Sequence, residues 1–164
     1  METKQRYSKP AAVKQLEIMA LNEKAKKFKS IPAELLVKPD FKDNTANSLT
    51  KCITTYLQLK GWQAERISTT GRPIDRTQTY TDVVGITRTI GRIEWIKGTA
   101  TNGSADISAT IKGRSVKIEV KIGNDRQSQA QKDYQKSIEI AGGLYYIAKD
   151  LTTFVQWYSN TFEL

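Results

Sequence analysis

The sequence contains no histidine and only one cysteine, Cys52, among its 164 residues. The missing histidines exclude Ser-His-Asp and Cys-His triads, imidazole general bases and zinc sites with histidine ligands. A single cysteine excludes intramolecular disulfides and thiolate clusters, and it favours a reducing compartment. Hydrolytic chemistry would therefore have to use carboxylates, lysines, hydroxyls and a hard cation such as Mg²⁺, which prefers oxygen ligands.

Long apolar segments are also missing. The polar start, METKQRYSKP, has no signal-peptide core, and no apolar run approaches membrane-spanning length. We therefore expect a cytoplasmic protein with no membrane partner. Positive charge is in excess, because 26 Lys and Arg stand against 17 Asp and Glu and give a formal net charge of +9. An acidic polymer is the first partner to consider, although a merely soluble basic protein has the same composition.

The hydrophobic periodicity predicts an α/β or α+β fold with helices covering a mixed sheet. The expected order is helix, three strands, helix, strand and a final helix, preceded by a helical basic arm. We place the arm at residues 1–43 and the domain at residues 44–164. The arm ends in lysines that either contact phosphate or form a solvated helix end. These lysines are Lys24, Lys26, Lys27 and Lys29.

The segment from Thr70 to about Asp82 is dense in Gly, Pro, Thr and Arg, and this composition predicts a loop. All cations between Gly61 and Trp95 are arginines, whose planar guanidinium groups suit phosphate oxygens. This favours a nucleic-acid groove. The candidate DNA-binding residues are Arg66, Arg72, Arg76, Arg88, Arg92 and Arg126. The three tryptophans, Trp62, Trp95 and Trp157, are expected to pack in the core or at sheet edges.

Residues 103–123, GSADISATIKGRSVKIEVKIG, predict a β-hairpin that turns at Lys112 and Gly113. This register gathers the apolar side chains on one face, whereas a shift of one residue would pair apolar with polar positions. On the other face it sets Asp106 opposite Glu119. Two acids directly opposite each other destabilise a hairpin, so the pair requires either open solvent or a bound cation.

Lys121 projects from the same face of the strand as Glu119, because side chains alternate along a strand. A divalent ion held by two carboxylates beside an ammonium group can cleave phosphodiesters without histidine. The alternative is an ordinary amphipathic strand whose charged side chains lie in solvent.

The order of these residues resembles the PD-(D/E)xK nuclease superfamily, and within it the virus-type replication-repair nucleases and the Holliday junction resolvases. Gly103 to Asp106 matches Gly-x-x-Asp on the first hairpin strand, and Ile118 to Lys121 matches Ile-Glu-Val-Lys on the second. Ser128 to Gln131 matches the Ser-x-x-Gln that opens the next helix, and Gly142 fits the glycine that follows.

The resemblance implies a restriction-endonuclease-like core with Mg²⁺ or Mn²⁺ bound by Asp106 and Glu119, and with the Val120 carbonyl completing the site. Lys121 would position the water or the scissile phosphate. Gln131 would support the site, or it would form a capping box with the serine three residues earlier, and the two roles are compatible.

One position departs from the pattern, because Asn47 stands where such nucleases often carry a helix glutamate that helps to hold a metal. A second metal is therefore in question. The resemblance implies a metal-dependent DNA endonuclease that prefers branched or flap DNA, acts in replication, repair or recombination, and has a phage or bacterial origin. It also implies a homodimer. The alternatives are a catalytically silent nuclease-fold module or subunit that binds DNA, and a basic scaffold that binds protein.

Overall fold

The chain forms a mixed sheet with helices on both faces in a computed structural model that describes residues 7–68, 71–96, 98 and 101–163, apart from the side chain of Ala33. The described helices are α1 (Ala11–Lys27), α2 (Ala46–Leu59), α3 (Gln129–Ile140) and α4 (Leu151–Phe162), with a 3₁₀ turn at Ala33–Leu35. The described strands are β1 (Gln63–Arg66), β2 (Arg72–Asp75), β3 (Gln78–Thr81), β4 (Thr87–Ile90), β5 (Ile93–Ile96), β6 (Ile107–Ile111), β7 (Arg114–Val120) and β8 (Leu144–Ala148). The predicted mixed α/β class is confirmed.

The main sheet has the strand order β1-β6-β7-β8. The β1–β6 and β6–β7 pairs are antiparallel, whereas β7 and β8 are parallel and are joined by α3. The predicted hairpin register is confirmed, since Ile107 lies opposite Ile118 and Ile111 lies opposite Arg114. Lys112 and Gly113 both have positive φ, as a two-residue hairpin turn of type I′ requires.

The apolar face of the sheet is buried under α1, α2 and α4. Its hairpin residues with almost no exposed surface are Ile107, Ala109, Ile111, Val116 and Ile118. Helix α2 begins at a capping box between Thr45 and Ser48, and Gly61, with a φ of +86°, follows its end. No described helix is both long and apolar enough to cross a lipid bilayer.

The structure does not confirm the N-terminal helix as a separate arm. Val13 and Leu16 of α1 are buried in the same core as the sheet, and α1 packs against α2 and α4. At its basic end, the Lys24 ammonium group donates to the carbonyl of Val37. The apolar side chains of α1 therefore pack it into the fold, and its basic end is also hydrogen-bonded to the rest of the chain.

The loop predicted from Thr70 to Asp82 is wrong for the part that the structure describes. That part contains β2 and β3, which pair antiparallel with β5 and β4 and form a two-part ribbon, residues 71–96. Threonines lie opposite each other in the outer part, where β-branched pairs stabilise strands despite full exposure. Trp95 is 64% exposed on this ribbon, so it does not pack in the core. Trp62 and Trp157 do pack against the core.

Candidate active site

Asp106 is fixed by both strands that flank it. The pairing of β6 with β7 ends at Ile107 and Ile118, whereas β7 continues to Val120. The N–H of Val120 therefore donates to Asp106 Oδ2 at 2.9 Å instead of to a strand carbonyl. On the other side, the N–H of Ile67 donates to the Asp106 carbonyl at 2.8 Å. The carboxylate is thus held at the end of the hairpin, level with Glu119.

Glu119 is 2% exposed, and its two carboxylate oxygens differ in their contacts. Oε1 accepts from the Gln131 amide and lies 3.2 Å from the Lys121 ammonium group. Oε2 is buried, and none of the described residues forms a hydrogen bond with it. Burial, and then the negative charge of Asp106, raise the pKa of Glu119 above its usual range. An unpaired buried carboxylate oxygen is costly, so Oε2 is the atom that a bound cation would satisfy.

Lys121 is buried between two carboxylates, because its ammonium group lies 3.2 Å from Glu119 Oε1 and 3.3 Å from Asp125 Oδ2. Burial would lower the pKa of this lysine, but the hydrogen bonds to Glu119 and Asp125 outweigh it and the pKa is raised. The side chain therefore keeps its charge. Sequence reasoning missed Asp125, although an acid four residues after the motif lysine was a readable signal.

Gln131 makes both of the contacts that were weighed for it. Its Oε1 accepts from the N–H of Ser128 at 2.9 Å, which completes the capping box of α3. Its Nε2 donates to Glu119 Oε1. One amide thus connects the start of α3 to the buried carboxylate and fixes the orientation of that carboxylate.

Tyr145 is a second residue that sequence reasoning missed. It lies opposite Lys117 in the parallel pair of β7 with β8, so it shares the polar face with Glu119. Among the described residues its buried hydroxyl has no hydrogen-bond partner with suitable geometry. Burial, with the charge of Glu119, raises the pKa of Tyr145 to about 12. The segment LYYIA, residues 144–148, resembled a buried strand. Only its parallel register with β7 shows that Tyr145 lies on the polar face of the sheet and Tyr146 on the apolar face.

Within the described residues, the candidate DNA-binding arginines make no hydrogen bond or ion pair with Asp106, Glu119 or Lys121. Arg66 donates to the Asn47 Oδ1 atom at 2.7 Å, so this amide oxygen is already engaged. Four others, Arg72, Arg76, Arg88 and Arg92, lie on the ribbon. Arg126 is exposed between β7 and α3.

Two of the four ribbon arginines form ion pairs. Arg76 pairs with Glu94 at 2.6 Å, and Arg88 pairs with Asp82 at 2.8 Å. Arg72 and Arg92 make no ion pair within the described residues. The ribbon therefore offers two arginines that are not engaged by its own acids.

The donor set is compatible with one hard divalent cation. In the part of the chain that the structure describes, no three Asp, Glu, His or Cys side chains converge. Asp106 and Glu119 supply carboxylate oxygens, and the Val120 carbonyl projects to the same side of β7 as the N–H that Asp106 accepts. Oxygen donors of this kind suit Mg²⁺ or Mn²⁺, and the unpartnered Glu119 Oε2 is available to such an ion.

Comparison with models of known protein families finds no match, and no curated protein matches the chain. The interpretation of the site therefore rests on its residues and on their geometry.

Gly103, the glycine of the Gly-x-x-Asp segment, brings the start of the hairpin against α3. It has a φ of +77°, and a Cβ atom there would lie 2.3 Å from the Ala130 carbonyl oxygen. Gly113 has the same φ, but a Cβ atom there would meet nothing within 4 Å. The two glycines therefore separate the cost of backbone strain from the cost of a close approach.

We expect Gly113→Ala to lower the free energy of unfolding by about 1–2 kcal/mol, through backbone strain alone. Gly103→Ala should cost about 2 kcal/mol more, because α3 must also move. Urea denaturation followed by circular dichroism measures both losses. Equal losses would show that the close approach to α3 contributes nothing.

Proposed function

We propose that the chain is a metal-dependent DNA endonuclease of the PD-(D/E)xK type with a restriction-endonuclease-like core. The observation that carries the proposal is the buried Glu119 carboxylate, with one oxygen unpartnered, beside Asp106 and Lys121. The topology supports it, because Asp106 immediately precedes β6, Glu119 lies on the neighbouring strand β7, and α3 then leads to the parallel strand β8.

The residues divide the chemistry among them. Mg²⁺ or Mn²⁺ bound by Asp106, Glu119 and the Val120 carbonyl would polarise a phosphoryl oxygen and lower the pKa of a bound water. The Lys121 ammonium group orients the phosphate and stabilises the negative charge that develops on it. Gln131 keeps Glu119 Oε1 occupied, so Oε2 is the oxygen that remains for a cation.

DNA is the proposed substrate because a net charge of +9 attracts a polyanion and because the ribbon carries arginines suited to phosphate. A preference for branched or flap structures, and a role in replication, repair or recombination, follow from the resemblance to junction-cleaving nucleases.

A second candidate is a nuclease-like module that binds DNA without cutting it. The observation that favours this candidate is the Asn47 amide, which brings no charge and is held by Arg66. No third acidic side chain of the described residues converges with Asp106 and Glu119 to hold a metal, so a two-metal mechanism has no further acidic ligand there.

Cleavage of supercoiled plasmid and of a labelled branched duplex, with Mg²⁺, Mn²⁺ or EDTA, tests the proposal. We expect Glu119→Gln and Lys121→Met to reduce metal-dependent cutting by about 100-fold or more, because the first removes a metal-binding carboxylate and the second removes the ammonium group that stabilises the phosphate. The matched controls are Glu139→Gln and Lys136→Met, which change exposed residues of α3.

Cutting that survives both site variants would reject the site assignment or reveal a contaminating nuclease. No cutting by the unaltered protein, with DNA still bound, would establish the binding module instead.

The repulsion between Asp106 and Glu119 gives a test that needs no DNA. We expect Asp106→Asn to raise the melting temperature of the metal-free protein by about 2–4 °C, the shift that about 1 kcal/mol produces in a domain of this size. The new amide oxygen can still accept from the N–H of Val120. Mg²⁺ should raise the melting temperature of the unaltered protein but not that of the variant.

Asp133→Asn, on the exposed side of α3, is the matched control. It should change neither the melting temperature of the metal-free protein nor the increase that Mg²⁺ produces. A less stable Asp106→Asn protein, together with no Mg²⁺ response in the unaltered one, would mean that the carboxylates serve the fold and not a cation.

The ribbon arginines predict the salt dependence of DNA binding. We expect Arg72→Gln with Arg92→Gln to reduce the slope of log affinity against log salt concentration by about 2, one unit for each lost phosphate contact. Arg76→Gln with Arg88→Gln removes the same charge but should change the slope less, since acids already engage these guanidinium groups. Fluorescence anisotropy at several salt concentrations measures both slopes, and equal slopes would reject the ribbon as a phosphate-binding element.

A further inference from the structure

The tip of the ribbon, Asp82–Ile86, presents apolar side chains to solvent. Val83 is fully exposed, Val84 is 78% exposed and Ile86 is 54% exposed. Single exposed apolar side chains are common, but three within five residues at the end of a hairpin form an apolar patch.

Asp82 holds this tip in one conformation. The N–H of Gly85 donates to the Asp82 carbonyl at 2.9 Å, which closes the turn, and Gly85 has a φ of +80°. Asp82 Oδ1 accepts from the N–H groups of Val84 and Ile86, and Oδ2 accepts from Arg88. The two valines therefore occupy the corners of a braced turn, and little conformational entropy is lost when they enter a partner.

The shape of the ribbon does not suit a second copy of the chain. A standard protein interface uses roughly 20–30 residues on each side, whereas the apolar patch at the tip has three side chains. A two-stranded ribbon does fit the major groove of a duplex. Its outer part also presents a row of hydroxyls, a group that commonly contacts DNA phosphates and sugars. These are Thr79, Thr81, Thr87 and Thr89.

The charges of the ribbon favour the same partner. In residues 77–90 the one acid, Asp82, is engaged by the turn and by Arg88, so no unpaired negative charge meets an approaching polyanion. Arg72 and Arg92 lie in the inner part of the ribbon, where phosphates beside an inserted tip would pass.

We propose that the tip is a DNA wedge that places Val83 and Val84 in an opened base step at a branch point. The proposal rests on the proposed function, because it takes DNA as the ligand, and it deepens that function by naming the element of the chain that would engage a branch point. Apolar side chains inserted between base pairs unstack them, and a step that is already open costs less to enter.

The test uses the full chain in EDTA, so that no DNA is cut. A branched duplex carries 2-aminopurine beside the branch point, where unstacking increases its fluorescence, and a dye on a distant end reports binding by anisotropy. A continuous duplex of the same sequence is the control DNA. The variants are Val83→Ser with Val84→Ser, and Ile140→Ser, which changes a 77% exposed residue of α3 as the matched control.

We expect the unaltered protein and Ile140→Ser to increase the fluorescence of the branched duplex. The double variant should lose this increase, and its preference for branched over continuous DNA should fall about tenfold, in proportion to the apolar surface no longer buried. A double variant that keeps both the increase and the preference would overturn the wedge.

Sedimentation distinguishes the alternative occupant. If the unaltered protein is a dimer and the double variant is a monomer, the tip is an interface between copies and the wedge is wrong. Both readouts work without cleavage, so a chain that unstacks DNA but never cuts it would retain the wedge and lose the endonuclease. Cutting without any fluorescence change would retain the endonuclease and reject the wedge. Failure to bind DNA at all would reject both proposals.

Discussion

Glu119 places a carboxylate in the protein interior next to a second carboxylate, Asp106. Burial and charge repulsion both destabilise this arrangement, and the surrounding contacts offset part of that destabilisation. The Lys121 ammonium group and the Gln131 amide both contact the same oxygen, Oε1. A purely structural ion pair would be expected to use both oxygens, since each unpaired buried lone pair is destabilising. Concentrating the partners on one oxygen leaves the other, Oε2, open to a ligand that brings positive charge.

The contact between Gln131 and Glu119 depends on how closely α3 approaches the hairpin. The first turn of α3 lies against Gly103, where a side chain would overlap the Ala130 carbonyl. The capping box at Ser128 sets the start of the same helix, and α3 must also span the crossover between the parallel strands β7 and β8. A glycine three residues before Asp106 therefore controls the orientation of a carboxylate on the next strand.

The hairpin register, and with it the nearness of Asp106 to Glu119, could be predicted because alternating apolar residues and a Lys-Gly turn permit only one register. The ribbon could not, because its outer strands are exposed on both faces and carry no such alternation. Tyr145 was missed because its place follows from parallel pairing with a distant strand. The packing of α1 was readable in the helical spacing of Val13, Leu16 and Ala20, but its basic end directed the interpretation toward an arm.

Under the proposed function, the position of the ribbon in the chain would separate DNA engagement from phosphodiester chemistry. Arg66 ends β1, Ile107 begins β6, and these two residues are a cross-strand pair, so residues 67–106 leave the sheet and return to it at one place. The pairing of β1 with β6 does not depend on what is inserted there, and such insertions commonly carry function. Asp106 stands at the point of return, one residue before β6 begins. Under the proposed function, the ribbon would therefore determine which DNA is engaged, while the carboxylates at the end of the hairpin would determine whether a phosphate is cut.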